Sequence, residues 1–371
     1  MSLLIKNARL VLRDSIKPGS VLISQGKITV LEFEHLSKKA EKELDAQGRY
    51  LLPGLIDLHY HGLFILPAPE RIEEYLKKIK PALAQKGVLG FLATFPAMEP
   101  EKIADSLLAL KEAEEKTSSA GARLLGAYLE GPFISPEARG AQPEGGIFEY
   151  QPGSGQLEKI LSAGKGLIKI ITIAPEQKYA KELVAQLRQN QILPALGHSR
   201  ASYELAEEFC ELGANHITHL FNAMSGIHHR QPGLALSGLL NPNFSKEIIV
   251  DGYHLHPAVV KLVWKVSPLD KVILITDFVG DEEQGGEEPP QLEDGRLAGS
   301  RLRLLKAVRN FQNFTGASLA EAVSCASLNP AKVLGLEDWG ELKEGNRANL
   351  ILVNDSWQVD KVLIDGELWE G

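Results

Sequence analysis

Only two cysteines occur among the 371 residues, Cys210 and Cys325, and they form no CxxC pair. That excludes a disulfide framework and a thiolate zinc cluster. No apolar run reaches the roughly 18–20 residues a membrane-spanning helix needs. The opening stretch MSLLIKNARLVLRDS carries charges at positions 6, 9, 13 and 14, unlike a secretory signal, so a cytoplasmic protein with no membrane partner is expected. Neither a P-loop nor a GxSxG nucleophile elbow is present, and Gly164-Lys165-Gly166 lacks the flanking residues of the former. Excess basic charge is also missing: 40 Lys+Arg face 48 Asp+Glu, for a net −8, which disfavours nucleic acid as a partner. The charge is unevenly spread. Seven acids and no base fall between Asp281 and Gly295, so one segment carries −7 and the rest of the chain is nearly neutral.

The length suggests two domains, or one large α/β domain with an appendage. Both ends read as short strands separated by turns: LLIKNARLVL, SVLISQGKITVLE and GRYLLPG at the start, ANLILVN and KVLIDGELW at the finish. This predicts a small β-sandwich domain built from residues 1–51 plus 340–371, with the main domain, 52–339, inserted between. Within the insert, eight apolar runs alternate with helical segments: 55–61, 88–95, 124–131, 167–175, 192–199, 216–222, 247–254 and 272–277. ERIEEYLKKIKPALAQK, EKIADSLLALKEAEEK, QKYAKELVAQLRQN and ASYELAEEFCELG are amphipathic at helical spacing. Eight βα units over about 280 residues match a (β/α)8 TIM barrel. Periodicity alone leaves a doubly wound sheet open.

The polar residues favour the barrel. A buried parallel strand should be almost wholly apolar, and the exceptions gather at C-terminal strand ends: His59 and His61, Glu130, His198, His219 and Asp277. In a barrel those ends share the face where active sites sit. All six are neutral imidazole or carboxylate donors, the types that suit a borderline divalent ion. Each also has an ordinary reading. His59 and His61, two apart and so on one side of a strand, could be hydrogen-bonded core histidines. Glu130 could cap a loop, His198 could enter a helix with Ser199 as N-cap, His219 could be a core histidine, and Asp277 could cap a turn. Their joint placement is what argues for a site. His216 reads as core or surface, His228, His229 and Arg230 as a basic loop cluster, His254 as a pocket rim and His256 as a surface residue before Pro257.

PGLIDLHYHG (53–62) resembles the first-strand motif of the amidohydrolase superfamily. YLEGPFIS (128–135), LGHSRA (196–201), THLFNAM (218–224), DGYHLHP (251–257) and ITD (275–277) resemble the motif series of its N-acetylglucosamine-6-phosphate deacetylase family, in order and over nearly the whole chain. LAGSRLRLLKAVRNF (297–311) and GELKEGNRANLILV (340–353) continue the series. The resemblance implies a metal-bearing barrel with a small β-sandwich, usually a homodimer. It implies that Glu130, His198 and His219 hold a divalent metal (zinc or iron), that His59 and His61 can host a second, and that Asp277 is the catalytic acid/base. Asn222 and Ala223 would present backbone amides to a sugar phosphate, and Arg230 and His254 would reach the phosphate of the partner subunit's substrate. The implied reaction is removal of the acetyl group from a phosphorylated N-acetyl amino sugar.

Two departures stand out. Gln142 occupies a position where the family usually has a substrate-contacting His; it can donate a hydrogen bond but carries no positive charge. The acidic segment 281–295 replaces a less charged loop, and it is expected to point outward or move, because closing over a phosphate would be repulsive. Three alternatives remain: the galactosamine epimer's phosphate as substrate, a cyclic-amide hydrolase of the dihydroorotase type, and a non-catalytic barrel. The cyclic-amide reading calls for a Lys at the end of the fourth strand, whereas Lys169 lies at its start, and a non-catalytic barrel would be free to lose ligands that are all present here.

Overall fold

A computed structural model of the chain describes residues 2–33, 40–65, 68–117, 121–282 and 288–371. The eight apolar runs each overlap a strand: Leu55–Gly62, Val88–Phe95, Arg123–Leu129, Ile168–Ile173, Leu193–Leu196, His216–Ile217, Ser245–Ile249 and Val272–Ile275. They pair side by side in chain order, always parallel. The eighth strand breaks at Thr276–Asp277 and resumes as Phe278–Val279, which pairs with the first strand and closes the ring. Helices follow each strand on the outside. The first, Ile72–Gln85, shows why: Ile72, Tyr75, Leu76, Ile79 and Leu83 recur at helical spacing and are all buried against the barrel. The expected (β/α)8 barrel is present.

The ends of the chain form a second, mixed sheet of eight strands in which Tyr50–Pro53 joins the N-terminal strands to the C-terminal pair Leu350–Val353 and Val359–Ile364. Strand alternation divides its side chains. Leu51, Leu350 and Leu352 enter a small core with Leu3, Ile5, Leu10 and Val21. Leu52, Ile351 and Val353 face the other way and join the barrel's core. The sheet is thereby fixed to the barrel through apolar contact. Among the described residues, no helix is long and apolar enough to cross a membrane. Cys210 and Cys325 are free and buried.

The seventh strand shows how strictly alternation sorts chemistry. Glu247 points into the barrel, where it meets His59 and His216, while Lys246 points out and lies fully buried with its Nζ 3.4 Å from Ser267 Oγ. Burial, assisted by the nearby Lys271, pushes the Lys246 amine from 10.5 down to about 8. Below pH 8 both the folded and the unfolded chain hold this proton, so the cost of burying the charge is felt in full. Between pH 8 and 10.5 the native state releases it first and stability recovers. Lys246→Met is therefore expected to raise the unfolding free energy at pH 7 by about 2–3 kcal/mol. The gain should shrink by pH 9.5, read from urea midpoints at both pH values. An equal gain at both would mean that the buried charge is not its source.

Candidate metal centre and active site

Five strand ends bring six polar side chains to one mouth of the barrel. His59 and His61 come from the first strand, and Glu130 follows the third directly. His198, His219 and Asp277 lie beyond strands five, six and eight with φ of 46°, 27° and 50°. Left-handed backbone is unfavourable for residues with a Cβ, and three such residues at one site mark a place where the surrounding packing overrides local preference. The turn swings each side chain back across the barrel axis instead of onward into a loop. Asp57 braces this layer from beneath. Its carboxylate accepts from Thr276 Oγ1 at 2.6 Å and from the backbone N–H groups of His59 and Thr276, tying the first strand to the eighth. Burial pushes the Asp57 carboxyl up to about 7, against the pull of these hydrogen bonds.

Glu130 is the hub. Its Oε1 lies 2.8 Å from His198 Nε2 and 2.8 Å from His219 Nε2, and its Oε2 lies 3.0 Å from His61 Nε2 and 3.7 Å from His59 Nε2. Asp277 Oδ1 sits 3.3 Å from His61 Nε2 and 3.7 Å from His59 Nε2. Two overlapping ligand sets result, His59/His61/Glu130 and Glu130/His198/His219, each with donor atoms within 4.8 Å of one another and all buried.

The tautomers suit a cation. His59 Nδ1 faces Glu247, His61 Nδ1 faces the Thr94 carbonyl at 3.1 Å, and His198 Nδ1 faces the Ala138 carbonyl at 3.0 Å. These partners only accept, so each Nδ1 must donate, and each Nε2 turns a lone pair toward Glu130. His198 Nε2 and His219 Nε2 lie 3.2 Å apart, and His59 Nε2 is buried with no hydrogen-bond partner among the described residues. Converging lone pairs repel unless positive charge lies between them. With no ion present a proton on Nε2 takes that place, and the pKa directions show the pull toward positive charge. Burial alone would raise the Glu130 carboxyl, yet the imidazoles of His59, His198 and His219 hold it well below the usual range. Burial alone would lower His61, yet Asp277 and Glu130 raise it to about 9. The residues fit a divalent ion, with nitrogen and oxygen donors backed by acceptors on the far side of three rings.

Above the cluster lies a cavity of about 460 Å³, lined by His61, Glu130, Gln142, His198, His219, Asn222, Ala223, His254 and Asp277 and roofed by Leu292, Arg296 and Leu297. Most of the expected site residues meet here, with five differences of detail. Gln142 is not free to contact a ligand with its whole amide: Oε1 accepts from the Ala97 N–H at 2.7 Å and Nε2 donates to Glu130 Oε2. It braces the hub. The Asn222 N–H is engaged by the His219 carbonyl at 3.0 Å, which leaves Ala223 to offer its backbone amide. His254 lines its own chain's cavity, its Nδ1 donating to Asp251 at 2.7 Å, so no interface is required to bring it there. Arg230 is exposed and does not line the cavity. Ser199 is not the helix cap beyond His198. Ser202 is, accepting from Leu205 N at 3.2 Å, while Ser199 donates to Glu176 at 2.7 Å.

The acidic segment departs from its expected outward course at its start. Asp281 pairs with Lys78 at 2.5 Å. Glu282 is buried between the Tyr60 hydroxyl, at 2.9 Å, and Arg303, at 2.5 Å. Residues 283–287 of the segment, like His35, lie outside the described residues. Further along, Gln291 and Leu297 bridge to form a short arm. Leu292 and Leu297 face the cavity while Glu293 and Asp294 are exposed. The arm thus turns apolar groups and one cation inward and its acids outward. Arg296 holds it down, pairing with Asp294 at 2.6 Å and donating to the Gly140 carbonyl. Sequence reading missed Arg296, because nothing in an acidic stretch signals that its following arginine folds back over a distant site. It also missed Glu247, although a carboxylate in the middle of a barrel strand was a usable signal.

The sequence model of the amidohydrolase family matches residues 50–369. The chain belongs to the amidohydrolase family, and it is a hydrolase. N-acetylglucosamine-6-phosphate deacetylase of Bacillus subtilis (strain 168) is 36% identical to it, over 99% of this chain and 97% of that one. N-acetylgalactosamine-6-phosphate deacetylase of Escherichia coli O157:H7 is 31% identical, over 88% of this chain and 89% of that one. Among solved structures, N-acetylglucosamine-6-phosphate deacetylase of Thermotoga maritima superposes with a TM-score of 0.85 at 32% identity, covering 98% of this chain and 99% of that one.

Proposed function

We propose that this amidohydrolase removes the acetyl group of N-acetylglucosamine 6-phosphate, giving glucosamine 6-phosphate and acetate in amino-sugar metabolism. The carrying observation is the convergence of four imidazole Nε2 atoms on the Glu130 carboxylate, with Asp277 beside His61 and His59, at the floor of the cavity. Relatives named for both the gluco and the galacto substrate lie at similar identity, so the galactosamine epimer is the second reading.

In this reading Glu130, His198 and His219 hold one divalent ion, zinc or iron, and His59 and His61 with Glu130 hold another. When bound, the ion makes a water nucleophile available near neutral pH and polarises the acetamide carbonyl. The chain's own part is positioning and proton transfer. Asp277 accepts the proton from the attacking water and returns it to the departing sugar nitrogen, without which an amide's amine leaves poorly. Gln142 braces Glu130, and the Ala223 amide and His254 bind the substrate. Leu292 and Leu297 keep bulk water from the reacting amide. Residues 52–339 would form the catalytic unit and 1–51 with 340–371 the small one, in a cytoplasmic enzyme.

The phosphate needs cations. Arg296 lines the cavity, and Arg139 and Arg200 join it around an adjoining recess. A homodimer would add Arg230 of the second subunit; exposed Ile227 and Tyr253, on the loops beside Arg230 and His254, are apolar surface for such an interface to cover. Acetate release from phosphorylated and unphosphorylated N-acetylglucosamine and N-acetylgalactosamine tests the assignment, with the phosphorylated gluco sugar expected to give the highest kcat/KM. No acetate from any phosphorylated sugar would reject it. Arg230→Ala should raise KM for the phosphorylated sugar by roughly 10–100-fold while sparing the free sugar. Equal effects on both would move the phosphate to the Arg296 side of the cavity.

A further inference from the structure

Glu247 takes no part in the scheme above, yet its side chain is fully buried inside the barrel, midway along the seventh strand. Its Oε2 lies 3.1 Å from His59 Nδ1 and 3.4 Å from the His219 backbone N–H, and its Oε1 lies 3.1 Å from His216 Nε2. A carboxylate held by donors on both oxygens can only accept, so His59 must carry its proton on Nδ1 and aim the Nε2 lone pair at the ligand cluster. His216 is fixed in turn by Ser245 Oγ, 2.7 Å from its Nδ1.

The four histidines of the cluster are backed unequally. His61 and His198 lean on neutral backbone carbonyls, and His219 Nδ1 has no partner among the described residues. His59 leans on a carboxylate. An anionic acceptor makes an imidazole a stronger ligand and fixes its ring orientation, and such partners affect metal affinity nearly as much as the ligands do. We propose that Glu247 is a positioning residue that makes the His59/His61 side of the cluster a tight cation site, through the run His59–Glu247–His216–Ser245. The proposal rests on the reading that His59, His61 and Glu130 hold an ion.

The test is metal stoichiometry and affinity, measured on wild type, Glu247→Ala and Glu247→Gln by zinc titration against a competing chelator, with metal analysis after gel filtration. Wild type should bind two ions per chain. Glu247→Ala should keep the Glu130/His198/His219 ion and bind the other about 10–100-fold more weakly. Glu247→Gln matches the shape of Glu and can still accept from His59 Nδ1 but lacks the charge. It should fall between, with about a tenfold loss. A purely structural role would lower the melting temperature of the metal-free variants and leave both affinities unchanged, which would overturn the proposal. If Glu247→Ala does not fold, Glu247→Gln alone decides between these outcomes. A single ion in wild type would reject the two-ion reading itself and the role of Glu247 with it. Two ions bound with wild-type affinity in both variants would reject Glu247 alone.

Discussion

Asp277→Asn is expected to lower kcat by on the order of 10²–10⁴-fold, the range in which a positioned acid/base contributes, while the Glu130/His198/His219 ion stays bound. Asp277 is well placed for this work. Its backbone N–H is held by the His59 carbonyl at 2.9 Å and its own carbonyl accepts from Ser300 N at 2.7 Å, so the strand break that carries it is fixed on both sides. The side chain is 11% exposed, facing the cavity, and Oδ1 stands 3.3 Å from His61 Nε2. Asn matches Asp in shape and can take the same hydrogen bonds as acceptor, but it can neither take up the water's proton nor deliver one to nitrogen. Single-turnover acetate release with parallel metal analysis separates the two effects. Substantial retained turnover would remove Asp277 from the proton-transfer role, and loss of the metal would make it a ligand first.

The second large effect belongs to Glu130. All four histidines of the cluster lie within 3.7 Å of its carboxylate, so Glu130→Ala removes the anion shared by both candidate ligand sets. Loss of both ions and of measurable turnover is expected, exceeding the roughly 10–100-fold in affinity that an outer hydrogen-bond partner carries. Chelator competition on the purified variant reads this directly. Retention of one tightly held ion would show that the imidazoles suffice without the hub.

Much of this was readable in the residues. The eight apolar runs became the eight barrel strands because parallel strands buried on both faces tolerate few polar groups. The exceptions at His59, His61, Glu130, His198, His219 and Asp277 therefore marked the strand ends. Two-residue spacing correctly placed His59 and His61 on one face. What escaped was set by tertiary geometry. Gln142 lines the cavity, as a substrate contact would, but the Ala97 N–H and the Glu130 carboxylate take up part of its amide, which its residue type did not announce. The Asn222 N–H is engaged by its own turn. His256 is exposed as expected, and what went unread is that it also caps the helix Pro257–Val266 by accepting from Ala258 N at 3.2 Å. The acidic segment was opaque for a different reason. A net charge says nothing about direction, and here Glu282 turns in to Arg303 while Glu293 and Asp294 turn out.

The central claim is that the Glu130 cluster is a working metal centre for amide hydrolysis. The most direct test measures metal content and acetate release from N-acetylglucosamine 6-phosphate on one preparation, before chelation, after it and after Zn²⁺ or Fe²⁺ is restored. Bound divalent metal, activity lost with it and activity regained on re-addition are the expected results. A protein that is metal-free as purified and remains inactive with either ion would contradict the claim.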